Sequence, residues 1–311
     1  MILREKEGSF LSIRPLRGAG KPAYLSYFIA LLLFGSNGTV ASAIALSSYE
    51  IVLLRCLIGC VFLWGVFLLT RQQLTLGRHK VDALFLAASG AAMGLGWMFL
   101  YEAYRQIGVS MASLAYYCGP VIIMAVSPLF FHEPLTRPKI TGFLVVLAGV
   151  CLVNGQAAQE GRMGWGLFCG FLSALMFAVL VIFSKKATAI TGLENPMLQL
   201  TASLITVAVF VVCKKGFALE IAREDWPPIL FLGLVNTGIG CFLYFTSISR
   251  LPAQTVAICG YLEPLSAVIF SALFLHEVLS PAQVLGAFLI LGGAAAGELF
   301  SHKPAVVPRR S

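Results

Sequence analysis

Ten apolar runs follow one another along almost the whole chain, near 24–46, 48–70, 81–104, 109–131, 138–156, 164–186, 194–214, 227–249, 253–275 and 281–300. A helix of about 20 residues covers the roughly 30 Å hydrocarbon core of a bilayer. Hydrophobic residues make up 59% of the 311 and charged residues only 12%. A water-soluble domain cannot cover that much apolar surface with so little charge. None of the runs alternates apolar with polar residues, which excludes a barrel and leaves helices as the structure that satisfies its own backbone in lipid. The predicted fold class is an all-α integral membrane protein with ten transmembrane helices.

The chain is also written twice. "SPLFFHEPLTRPKITG" (127–142) returns as "SALFLHEVLSPAQVLG" (271–286), with seven of sixteen positions identical at an offset of 144. "GLGWMFLYEAYRQIGVS" (94–110) matches "GIGCFLYFTSISRLPAQ" (238–254), and Tyr117, Pro120 and Gly149 pair with Tyr261, Pro264 and Gly293. Each copy holds five runs, and an odd number turns the second copy over. The predicted organisation is a basic tail (1–23), a first five-helix repeat (24–156), an inverted second repeat (157–300) and a short tail (301–311). Two similar halves of opposite orientation can exchange conformations around one shared site, so the pattern points to transport.

Lys and Arg set the orientation. Sixteen fall on the side of both tails and five on the other, with Arg55 left inside the second run. Both termini are therefore expected in the cytoplasm of a cell with an inner or plasma membrane. The net charge of +8 is a topological signal with attraction to anionic lipid, and implies no nucleic-acid partner. The eight cysteines all lie in apolar runs without a CxxC pair; they read as small hydrophobes, and neither metal nor cofactor is expected.

Ten spans, the five-plus-five repeat and the twin endings "FFHEPLTRPKITG" and "FLHEVLSPAQVLG" resemble the EamA branch of the drug/metabolite transporter superfamily. The turns "YEAYRQIGVSMASL" and "YFTSISRLPAQTVAI" are similar to the family's corresponding turns, and the resemblance covers roughly 24–300. It implies a transporter without enzymatic activity. Because the family moves amino acids, sugars, nucleosides and drugs on one scaffold, it constrains substrate weakly; amino-acid exporters among its members suggest that class.

"HEPLT" and "HEVLS" lack the second histidine of a zinc-binding HExxH. Inversion also places the two motifs on opposite faces of the membrane. Glu133 and Glu277 are read as clasps, each carboxylate reaching the free amides that open the next helix.

Near the span centres, Pro120 and Pro264 occupy equivalent positions, and each deprives a carbonyl one turn back (Tyr116, Gly260) of its helical partner. Interrupted helices at matching places in two halves mark a transport site. Trp97 and Tyr101 share a helix face with the interfacial Tyr104; with Tyr116, Tyr117, Tyr244 and Tyr261 they form a candidate aromatic cavity, to which Asn37 and Asn236 add amides. Glu263 is central and suited to a substrate ammonium or a proton. Arg55 is expected nearer the outer end of its span, in a structural role, snorkelling or paired with Glu50 or Glu102. The small-residue stretch 286–297 reads as helix-packing surface.

The reading is a secondary transporter of a small amphipathic metabolite, with amino-acid export the first choice, working by alternating access. A drug, sugar or nucleoside is the alternative cargo, and a receptor or membrane enzyme the alternative class. No GxxxxGK[ST] loop is present for ATP. Protons are a candidate coupling ion, and oligomeric state is not encoded in any of these features.

Overall fold

The structure, a computed structural model, describes residues 21–116, 118–131, 135–154, 164–215, 220–274 and 281–299, and within them contains helices and no strand. The first apolar run is two helices, α1 (Lys21–Gly35) and α2 (Asn37–Ala41), parted at Ser36. Then come α3 (Ser48–Leu69), α4 (Lys80–Tyr116), α5 (Cys118–Phe131), α6 (Arg137–Asn154), α7 (Gly164–Lys186) and α8 (Glu194–Lys215). The eighth run is composite: α9 (Trp226–Leu230), a π-helical stretch (Phe231–Ile239) and α10 (Gly240–Ile248). The ninth divides into α11 (Ala253–Cys259) and α12 (Leu262–Phe274), and α13 (Pro281–Leu299) closes the bundle.

Among the described residues, seven helical stretches are long and apolar enough to cross a membrane: 22–41, 48–69, 80–107, 164–186, 194–214, 223–248 and 253–274. Their outer faces are apolar as well. Val61, Leu68, Phe168, Ile205, Val209 and Phe288 are all exposed, an arrangement that water penalises and lipid favours. This is a multi-pass membrane protein.

The two halves are inverted copies in space. α3 and α8 stand at equivalent places in the repeat, and they run antiparallel: Tyr49 meets Phe210, Cys56 meets Ser203, and Cys60 and Trp64 meet Thr201. The packing pattern survives exchange of the halves. α4 lies on α7 as α10 lies on α1, α5 on α7 as α12 on α1, and α4 on α8 as the π-helical stretch on α3. α6 and α13, equivalents again, pack on each other, with Gly293 set so close to Gly142 that a Cβ would come 2.7 Å from its carbonyl oxygen.

One turn departs from expectation. Helical backbone continues from Lys80 to Tyr116, where a break was predicted between 104 and 109. The chain still reverses there. Gly96 lies on Ser173 and Gly166 on Ile107, the antiparallel sense; further on, Gly170 lies on Ala115 and Gly119 on Phe177, the parallel sense. The corner falls between Ile107 and Ala112 and is made inside helical geometry.

Close approach of α4 to α8 depends on Gly90, where a Cβ would sit 2.1 Å from the Gln199 carbonyl oxygen. Backbone cannot swing aside as a side-chain tip can. Gly90→Ala is expected to cost about 1–3 kcal/mol through overpacking. A lower melting temperature than that of Gly65→Ala, whose Cβ meets open space, is the expected result; equal melting temperatures would refute the close contact.

Candidate functional site

A cavity lies where the two halves cross. Its walls come from α1 and α2 (Phe34, Asn37), α4 (Trp97, Tyr101, Tyr116), α7 (Phe177), α10 (Tyr244) and α12 (Glu263). The space open to the centre of a water-sized sphere is only about 30 Å³, room for one or two waters.

A helix interruption borders it. α11 ends at Cys259 and α12 begins at Leu262, with a turn at 260–261 between them. Pro264 thus stands third in α12, within the first helical turn, where a missing N–H costs nothing. It opens a new helix and does not kink an old one; at the equivalent station, residue 117 lies outside the described residues, and Pro120 is helical. At this break Gly260 O takes the Glu263 amide at 3.1 Å, which satisfies the carbonyl that Pro264, lacking an N–H, cannot serve.

Glu263, in the first turn of α12, is half-buried on the cavity wall. Arg55, Tyr27, Tyr101, Tyr116 and Tyr244 all lie within its electrostatic reach. Tyr244 packs its ring at 5.5 Å from Phe34 and 5.6 Å from Tyr27. Its buried hydroxyl has no hydrogen-bond partner among the described residues. Asn236 is fully buried and donates to Asn37 Oδ1 and Ser36 Oγ, both at 2.9 Å. These bonds tie the π-helical stretch to the break between α1 and α2, while Asn236 Oδ1 is left without a partner among the described residues.

Placement of the other expected site residues is mixed. Tyr116 lines the cavity with its ring 5.3 Å from Phe177. Tyr261 is 1% exposed and is not part of the cavity wall. Tyr117, Glu133 and Glu277 lie outside the described residues. A different carboxylate contact joins loop and helix elsewhere: Glu194, in the first turn of α8, accepts from the Thr75 and Leu76 amides, in the loop before α4, at 2.8 and 2.9 Å. Among the described residues no three His, Cys, Asp or Glu side chains gather to hold a metal ion.

Arg55 has partners other than the carboxylates the sequence suggested. It is 1% exposed. Its Nε donates to Thr237 Oγ1 at 2.8 Å and its Nη1 to Tyr101 Oη at 2.6 Å, and its guanidinium lies 4.2 Å from the Trp97 ring centroid. The carboxylates expected as partners are used otherwise. Glu50 closes the capping box of α3 on Ser47, and Glu102 accepts from Ser48 and Gln106. Holding a cation inside a membrane helix is costly, up to about 2.5–3.5 kcal/mol at the centre on insertion scales. The neutral oxygens and the indole face offset part of that cost.

On one side of the cavity the bundle is shut. Tyr27 Oη donates to Val256 O at 2.8 Å, tying α1 to α11, and Lys185 Nζ donates to Ile248 O and Leu251 O at 3.2 and 2.5 Å. Towards the opposite rim a vestibule of about 210 Å³, with Ser42, Ser48, Arg105 and Val109 in its wall, reaches inward as far as Tyr101. Tyr101 lines both spaces and separates them.

The model of the EamA-like transporter family matches residues 21–155 and again 164–296. The chain belongs to the EamA-like transporter family. Among its relatives, the uncharacterized transporter YxxF of Bacillus subtilis (strain 168) is 26% identical over 88% of each chain. The uncharacterized inner membrane transporter YhbE of Escherichia coli (strain K12) is 22% identical over 78% of this chain and 80% of its own. One solved crystal structure shares the fold with a TM-score of 0.76 at 20% identity, across 90% of this chain and 99% of that one. The family and these relatives make the protein a membrane transporter.

Proposed function

We propose that this EamA-family protein is a secondary transporter that exports a small amphipathic metabolite, an amino acid in the first place, across the cell membrane by alternating access. The observation that carries the reading is Glu263 on the wall of a small aromatic cavity between two inverted halves. A carboxylate there must be protonated or matched by a cation. A substrate ammonium supplies the match while its apolar body rests on Trp97, Tyr116 and Tyr244. Tyr101 is the thin wall towards the vestibule, and the Tyr27 and Lys185 bonds are the thick one. Parting the thick side while the Tyr101 side closes more tightly is the exchange that inverted halves permit.

Purified protein in sealed vesicles is expected to give saturable uptake of labelled amino acids. Uptake should accelerate when unlabelled substrate waits on the other side, and a pH gradient applied in the same vesicles tests proton coupling. Flux that never saturates would make the protein a channel, and binding without flux a receptor. Either would overturn the proposal.

A further inference from the structure

A guanidinium carries five N–H donors and no acceptor. In Arg55 two of the three nitrogens are engaged, both by neutral hydroxyls, and Nη2 is buried with no partner among the described residues. Even the hydroxyls are pre-set. Thr237 donates its own proton to Leu232 O at 2.7 Å, across the wide turn of the π-helical stretch, and so turns lone pairs towards Arg55 Nε. Among the described residues no carboxylate makes contact with the cation, and Glu263 attracts it only at longer range.

The repeat supplies a control inside the same molecule. At the offset of 144 the counterpart of Arg55 is Gln199. Gln199 is fully buried too, but it is neutral and saturated: Ser89 donates to its oxygen, and its nitrogen donates to Asn195 Oδ1 at 2.6 Å and to Ser184 Oγ at 3.2 Å. The scaffold therefore packs a satisfied neutral amide at this station. An unsatisfied cation serves something the scaffold does not contain. Glu263 is asymmetric in the same way, its counterpart being Gly119. One charge comes from each half, and the two attract across the site.

We infer that Arg55 is an anion subsite that receives the carboxylate of the transported molecule. Its open Nη2 edge is released to the cavity when the Trp97 and Tyr101 wall moves to admit cargo. Two charges of opposite sign then select a zwitterion, with carboxylate on Arg55 and ammonium on Glu263. A dianionic phosphate would leave net negative charge beside Glu263 and is disfavoured. The inference rests on the metabolite-site reading above and adds to it the half of the substrate that Glu263 cannot recognise.

Three probes with one indole body separate the charges: tryptophan, tryptamine without the carboxylate, and indole-3-propionate without the amine. Binding is read by calorimetry and by ligand-induced thermal shift on purified protein. Wild type is expected to prefer tryptophan over both. Arg55→Gln, which installs the residue of the equivalent station, should weaken tryptophan about tenfold to a hundredfold and leave tryptamine within about twofold. Loss of both probes in equal measure, or of neither, would overturn the inference. Should Arg55→Gln not fold, wild type still decides it: indole-3-propionate must compete with tryptophan, and failure to compete while tryptamine does compete refutes the anion subsite alone. If wild type binds none of the three, the metabolite-site reading itself falls.

Discussion

Glu263→Gln is expected to leave the protein folded and to remove most of its transport of amine-bearing substrates. Glutamine keeps the size of the side chain and its capacity for hydrogen bonding, and removes only the charge. A hydrogen bond to a charged group contributes about 1.5–3 kcal/mol, so affinity for an ammonium should fall roughly tenfold to a hundredfold. The helical framework has little reason to object. Glu263 lies in the first turn of α12, and its backbone amide is held by Gly260 O, a bond the substitution does not touch. Initial rates of labelled amino-acid uptake into vesicles, compared at several pH values, read the effect. Wild-type rates with an unchanged pH response would return Glu263 to the role of a protonated core carboxyl.

Why Glu263 was legible in the sequence and Arg55 was not comes down to what a linear pattern can report. An acidic residue between Tyr261 and Pro264, in the middle of an apolar run and matched by a second Pro at the same station of the repeat, carries its oddity in its own neighbourhood. The fold was legible on the same grounds. Apolar runs of bilayer length and a fixed offset of 144 dictate helices and inversion, and the antiparallel contact of α3 with α8 is what an odd number of spans requires. Arg55 was given Glu50 or Glu102 as partners because only its place within one run was visible. Its meaning lies in Thr237, 182 positions away, and Tyr101, 46 positions away, and no periodicity reports such pairings. The interruption at Ser36 and the π-helical stretch were equally silent, since neither contains a proline. Tyr261 was grouped with the cavity because aromatic residues near a break resemble one another in sequence, whereas its burial away from the cavity wall is decided by packing.

Orientation is the other result with a large expected effect, because it reads as all or none. Arg105 and Arg250 are both exposed and belong to the corresponding turns of the two inverted repeats. Inversion places those turns on opposite faces of the membrane. Arg105 stands in the wall of the vestibule that ends at Tyr101, and Arg250 follows the α10 end whose carbonyl at Ile248 is held by Lys185. The side of Lys185 and Arg250 carries sixteen of the 22 basic residues and the other side five, and basic residues near span ends are retained in the cytoplasm. The vestibule should therefore face outward and the closed end inward. All eight native cysteines are free, and Cys151 and Cys213 are exposed, so the test needs a background in which they are replaced. There, Arg105→Cys is expected to react with an impermeant maleimide on intact cells. Arg250→Cys should stay unlabelled until the membrane is opened. The reverse pattern would turn the molecule over and make the observed vestibule an inward one; equal labelling of both on sealed cells would contradict inversion of the two turns.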